Sequence, residues 1–215
     1  MQKKILSVLT FLVILALSSP VSAQQNGTWG IAAGVSYVTP VAGLSDWFKP
    51  AYGFRFAAGQ QQEDSWFFEG CIEYVRFDSD NLSGVAAEKL TLELEHIGIL
   101  FSARYAIAEW GAFRPWFSVA VGPHYYKGTR GRIEPDPDLG IPLIAARTNE
   151  EWNWGFKAGA GTEIKLVDQL SIDLGINYRF IVGDLWPTLQ QYIELEGVSG
   201  LQTVNVSGGI RYYFE

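Results

Sequence analysis

From Trp29 to Phe214 the chain alternates large apolar residues with small or polar ones in eight separate segments, 29–37, 52–59, 66–75, 96–105, 116–125, 152–164, 170–180 and 203–214. A period of two puts alternate side chains on opposite faces of an extended chain, so each segment reads as a strand with two unlike sides. In the first, Trp29, Ile31, Ala33, Val35 and Tyr37 share one side and Gly30, Ala32, Gly34 and Ser36 the other. In the seventh, Leu170, Ile172, Leu174, Ile176, Tyr178 and Phe180 oppose Ser171, Asp173, Gly175, Asn177 and Arg179. Ahead of the fourth segment the apolar phase switches, with Leu90, Leu92 and Leu94 on the opposite parity to Ile97 and Ile99. That switch predicts a β-bulge near Glu95.

Summed over the eight segments, the apolar faces hold 43 side chains and no charge. The opposite faces carry nine charges, Arg55, Glu69, Glu73, Arg104, Lys157, Glu163, Asp173, Arg179 and Arg211, among many glycines and alanines. A water-soluble barrel would hide its apolar side and load the outside with charge. Here the small, charged side suits the crowded interior of a narrow closed barrel, which leaves the apolar side for lipid. The chain therefore reads as all-β, an eight-stranded antiparallel transmembrane β-barrel.

The connectors test this independently, because such barrels alternate short turns with long outer loops. Connectors 38–51, 78–89, 127–151 and 182–202 are long; 60–65, 106–115 and 165–169 are shorter. With the N-terminus on the inner side, Tyr37, Tyr52, Tyr74, Tyr125, Trp152, Trp154, Tyr178 and Phe180 fall near the outer rim, and Trp29, Trp66, Phe68, Tyr105, Phe117, Tyr212 and Phe214 near the inner. These are the two aromatic girdles a lipid interface calls for.

Composition agrees, with 23 Gly, 13 Phe, 10 Tyr, 8 Trp and one Met in 215 residues. Lys3 and Lys4, the apolar run Ile5 to Leu17 and the small exit Ser22-Ala23 predict a signal peptide over 1–23, leaving 24–215 as one barrel domain. The whole chain carries a net charge of −7, and losing the two leader lysines makes it more acidic, which argues against nucleic acid as a partner. The single Cys71 cannot close an intramolecular disulfide.

The phrase Gly34-Val35-Ser36-Tyr37, then Pro40 and Gly43-Leu44-Ser45-Asp46-Trp47-Phe48-Lys49, resembles the small outer-membrane β-barrels of the OmpA/OmpX type, in their porin-like single-domain form. The Gly155 to Gly161 stretch, the Leu170 to Arg179 strand and the closing Gly208-Gly209-Ile210-Arg211-Tyr212-Tyr213-Phe214 carry the same resemblance. It implies an outer-membrane location in a Gram-negative-type bacterium, with outer-membrane lipid as surroundings and the barrel-assembly machinery as partner during biogenesis. Such barrels often finish on the aromatic that this machinery reads, whereas here Glu215 follows Phe214.

The nine inward charges, five positive and four negative, are expected to form a structural ion network plugging the lumen, because an unpaired buried charge is costly. The alternative is a solute path. Within the network Arg55 and Arg104 are expected to meet Glu69 and Glu73 on neighbouring strands. His96 and His124, the only histidines, lie in no metal-ligand spacing, and no cofactor or metal is expected. Eight-stranded outer-membrane lipid A deacylases carry His-x-Ser on a late strand; the comparable stretch Tyr178-Arg179-Phe180-Ile181-Val182-Gly183 has neither nucleophile nor base, so no enzyme is expected. Glu134, Asp136 and Asp138 alternate with Pro135 and Pro137 in a spacing unlike a calcium loop and read as a solvated outer loop. Asp184 to Glu196 could form a short amphipathic helix, or pack over the barrel mouth. The expected role is structural or surface-interactive, with long loops displayed outward; the alternatives are a passive small-solute channel and, behind it, a lipid-modifying enzyme.

Overall fold

The computed structural model describes residues 27–62, 65–79, 91–135, 137–139, 143, 145–184 and 199–214. The expected signal peptide and most of the stretch read as an amphipathic helix lie outside these residues. Eight strands, β1 (Trp29–Val41), β2 (Ala51–Gln62), β3 (Trp66–Asp78), β4 (Leu92–Ala106), β5 (Phe113–Arg130), β6 (Arg147–Val167), β7 (Leu170–Asp184) and β8 (Ser199–Phe214), pair antiparallel with their chain neighbours. β1 also pairs with β8, Trp29 opposite Phe214 and Val41 opposite Gln202, and this closes the barrel. Every backbone edge is thereby satisfied without water, as a strand protein in lipid must arrange. No helix of the described residues is long and apolar enough to cross a membrane.

The two faces fall as the period predicts. Phe54, Phe101 and Ile210 point outward and are 61%, 60% and 58% exposed, while Glu69, His124 and Arg211 point inward and are fully enclosed. Trp66, Tyr105 and Phe117 are cross-strand neighbours in the inner girdle, and Tyr37 meets Tyr52 edge-on in the outer one, with ring centroids 5.4 Å apart. Leu174 sits at mid-strand on this outward belt, between Thr162 and Gly208. Leu174→Arg is therefore expected to cost about 2–4 kcal/mol of folding stability in vesicles. A neutral result in urea titration would mean that this face does not meet the bilayer centre.

A spanning strand needs about 9–11 residues, but β5 has 18 and β6 has 21. Part of the surplus lies at the outer end, so part of the long connector 127–151 is strand, with Arg130–Arg147 its outermost rung. At the same height on β3 and β4 the polarity of the wall reverses. Arg76, Asp78, Glu93 and Glu95 face out, while Val75, Phe77, Leu92 and Leu94 are buried inside.

That reversal corrects the expected bulge near Glu95. The β3–β4 register runs unbroken through Arg76–Glu95, Phe77–Leu94 and Asp78–Glu93. The apolar phase changes because the strand leaves lipid for water, where the outside must be polar and the inside can be oily. Irregularities occur instead between Lys165 and Val167 and between Ile181 and Asp184.

Candidate functional site

Three layers fill the lumen. Outermost is an apolar plug of Val38, Leu44, Trp47, Phe48, Val75, Phe77, Leu92, Leu94, Tyr126, Ile133, Ile181 and Leu201. Its centre comes from the β1–β2 connector. A 3-10 turn at Ala42–Leu44 turns the chain inward, the Trp47 and Phe48 amides both donate to the Leu44 carbonyl at 3.3 and 3.2 Å, and Phe48 packs on Phe77 with ring centroids 6.3 Å apart. The turn begins at Ala42 with φ of 54°, a left-handed conformation that a non-glycine residue adopts only when its surroundings hold it there.

Beneath the plug lie all nine predicted charges. Glu73 on β3 is the outer hub, ion-paired across the lumen to Lys157 on β6 and Arg179 on β7. Lys157 and Arg179 are direct cross-strand partners, so Glu73 clamps a rung of two like charges. Asp173 and Glu163 form a second like-charged rung on the same strand pair, and there the clamp is Arg104, 2.6 Å from Asp173 and 3.9 Å from Glu163. Arg211 joins Glu69 at 2.8 Å and Asp173 at 3.4 Å. Arg55 ties the two halves together, pairing with Glu69 and lying 3.9 Å from both Glu73 and Asp173.

Arg55 thus meets Glu69 and Glu73, whereas Arg104 does not. It crosses the lumen to Asp173, because its strand neighbours at that level are Phe67 and Ser118 and the nearest carboxylates rise from the opposite wall. Most of these pairs join residues 69 to 142 positions apart, so the network braces the barrel across its diameter.

Two further elements of this layer stand on the inward parity of their strands, but a strand-by-strand reading does not give their partners. His96 and His124 stack with their rings 4.9 Å apart and share a 2.7 Å hydrogen bond, while Arg179 donates to His96 Nδ1 at 3.3 Å. An accepting Nδ1 leaves His96 Nε2 as the donor to His124 Nδ1, so the guanidinium fixes the tautomers of both rings. Below, Trp116 Nε1 donates to Asp173 at 3.1 Å and the Tyr213 hydroxyl donates to Glu163 at 2.8 Å. Arg104 lies 4.1 Å over the Trp116 ring and Arg211 4.5 Å over Phe67. The inward glycines are sockets for these large groups. A Cβ at Gly161 or Gly175 would come within 2.5 and 2.8 Å of Trp116, and one at Gly98 or Gly155 within 2.8 and 2.5 Å of His124.

The innermost layer is the aromatic set Phe67, Trp116 and Tyr213. Below it a cavity of about 260 Å³ opens to the inner side, lined by Gln61, Arg114, Glu163, Lys165, Asp168 and Ser171 among others. Among the described residues no group of three His, Cys, Asp or Glu is placed to hold a metal. In the outer loop Glu134 is paired to Arg132 at 3.0 Å and Pro137–Leu139 form a 3-10 turn; Asp136 lies outside the described residues.

The model of the outer membrane protein beta-barrel domain family matches residues 9–214. No curated protein matches the sequence. Among solved structures, Neisserial surface protein A is similar with a TM-score of 0.55 at 14% identity, covering 86% of this chain and 97% of its own. OprG from Pseudomonas aeruginosa scores 0.51 at 13% identity over 88% of this chain and 96% of its own. Ail, the attachment invasion locus protein of Yersinia pestis, solved with the heparin analogue sucrose octasulfate, scores 0.50 at 12% identity over 88% and 100%. At these identities the likeness speaks for the fold. With the family match over nearly the whole chain and the lipid-facing belt, it follows that this protein belongs to the outer membrane protein β-barrel domain family and spans the outer membrane of a Gram-negative-type bacterium.

Proposed function

We propose that this barrel is a sealed platform whose working surface is its outward loops, a structural or surface-interaction protein rather than a channel or an enzyme. The observation that carries this is the layering of the lumen. An apolar plug of a dozen buried residues caps a charge network whose members pair with one another, and an aromatic layer closes the far side. A solute crossing would have to displace packed hydrophobic side chains and then break cross-lumen ion pairs. Catalysis has equally little to work with, since the two histidines bond each other, His96 also accepts from Arg179, and both are buried. Surface binding is a use to which similar barrels are put, as the heparin analogue bound to Ail illustrates.

The test replaces residues 134–144 with a short Gly-Ser linker, sparing the plug residue Ile133 and both strand ends. Folding, read as heat-modifiable migration in gels, is expected to be unchanged, while adhesion of cells carrying the protein to glycan-coated surfaces falls. Unchanged adhesion, together with sugar uptake altered by substitutions at Glu73 or Arg55, would replace this reading with the passive channel.

A further inference from the structure

Among the described residues, three lumen-side rungs set two like charges directly opposite on neighbouring strands; a fourth, Asp78–Glu93, lies on the outer wall, where Glu93 pairs with Arg76 at 2.9 Å. Like charges so placed repel. Lys157–Arg179 is held by Glu73 and Glu163–Asp173 by Arg104, each clamp reaching over from the far wall. The third rung is Arg130–Arg147, at the outermost end of β5 and β6. Residues opposite one another in an antiparallel pair project to the same side, so both guanidiniums rise from the lumen side of the wall at the outer mouth. Arg130 is 9% exposed and Arg147 is open to solvent.

No carboxylate clamps this rung among the described residues. Arg130 donates to the Ala145 carbonyl at 3.0 Å, and its buried Nε has no partner. Its neighbour on β4 is the apolar Leu92. The carboxylates nearby are committed elsewhere: Glu151, two rungs deeper on the same side, accepts from the Tyr126 hydroxyl at 2.8 Å; Glu150 faces the outer wall against Lys127 at 3.6 Å; Glu134 pairs with Arg132 at 3.0 Å. Burial and the charge of Arg147 pull the Arg130 guanidinium below its ordinary range, the mark of a cation short of counter-charge.

We propose that the Arg130–Arg147 rung is a binding site for a tetrahedral oxyanion, a phosphate or sulfate group presented from outside the cell. Side chains opposite one another across such a rung begin about 5 Å apart at Cβ, close enough for two guanidinium forks to grip one oxyanion. Arginine suits the task because its planar donors match phosphate and sulfate geometry. This inference rests on the surface-interaction reading and names the chemistry of its ligand.

The test titrates purified, detergent-folded protein with inorganic phosphate, inorganic sulfate, glucose 6-phosphate and glucose 6-sulfate, with glucose as control, following the arginine Nε–H signals by NMR. A saturable shift of the Arg130 signal is expected with all four anions and none with glucose, weakening as sodium chloride is raised. Arg147→Gln, at an exposed position that leaves the fold intact, is expected to weaken binding by about tenfold or more, as loss of half of a bidentate pair should. Arg147→Lys is expected to retain part of it, and Lys127→Gln, on the outer wall, all of it. Absence of saturable binding, or binding that Arg147→Gln leaves unchanged, would overturn the proposal. Response to the inorganic ions but to neither sugar ester would support the site with the free ion as its ligand. A silent lumen in conductance measurements with no anion binding refutes this site alone, and anion binding by a conducting barrel refutes only the sealed platform.

Discussion

Glu73→Ala is expected to destabilise the folded barrel by about 3–5 kcal/mol, the loss characteristic of removing one partner from a buried ion cluster. The reason lies in the rung it clamps. Without the carboxylate, Lys157 and Arg179 face each other across adjacent strands, with His96 and His124 above them and only Arg55 and more distant carboxylates in reach. Adding Lys157→Met should recover part of the loss, because it removes one of the two stranded cations, whereas Lys157→Met alone leaves Glu73 still paired with Arg179. Urea unfolding of the four species in vesicles reads the coupling directly. Losses that simply add would show that Glu73 and Lys157 do not interact.

Phe48→Ala is expected to cost a similar amount, about 3–5 kcal/mol, because it empties the centre of the outer plug. Phe48 is 1% exposed and packs on Phe77, and its backbone bridges to Ser79 and so ties the β1–β2 connector to the end of β3. The barrel should nonetheless stay closed, since the charge network and the Phe67–Trp116–Tyr213 layer lie beneath. Stability by urea titration and conductance in the same preparation separate the two effects. A full-strength barrel with Phe48→Ala would mean the connector only rests on the mouth.

The strands, their faces and the closed architecture were legible because a period of two survives in every segment and the lipid-facing side tolerates no charge. The nine inward charges were legible for the same reason, as exceptions on the other parity. Their pairing was only partly so. Arg55 with Glu69 and Glu73 is a contact between adjacent strands, which sequence order predicts, but Arg104 with Asp173 spans 69 residues across the lumen, and which opposite wall a long side chain reaches depends on barrel tilt and shear. Leu92 and Leu94 carried the signal for the plug. Read as a register fault, their parity suggested a bulge; read with Val75 and Phe77, and with Leu44, Trp47 and Phe48 in the adjoining connector, it marks where the wall leaves the membrane. The His96–His124 pair lies on the inward faces of the adjacent strands β4 and β5, but two neutral rings carry no opposite charges to mark them as partners.

Single-channel recording of the purified wild-type protein in a planar bilayer tests the sealed lumen most directly. With an apolar plug, a clamped charge network and an aromatic layer in series, the protein should insert without producing steady current in symmetrical salt. Reproducible, voltage-independent conductance steps scaling with protein added, and abolished by heat unfolding, would contradict it.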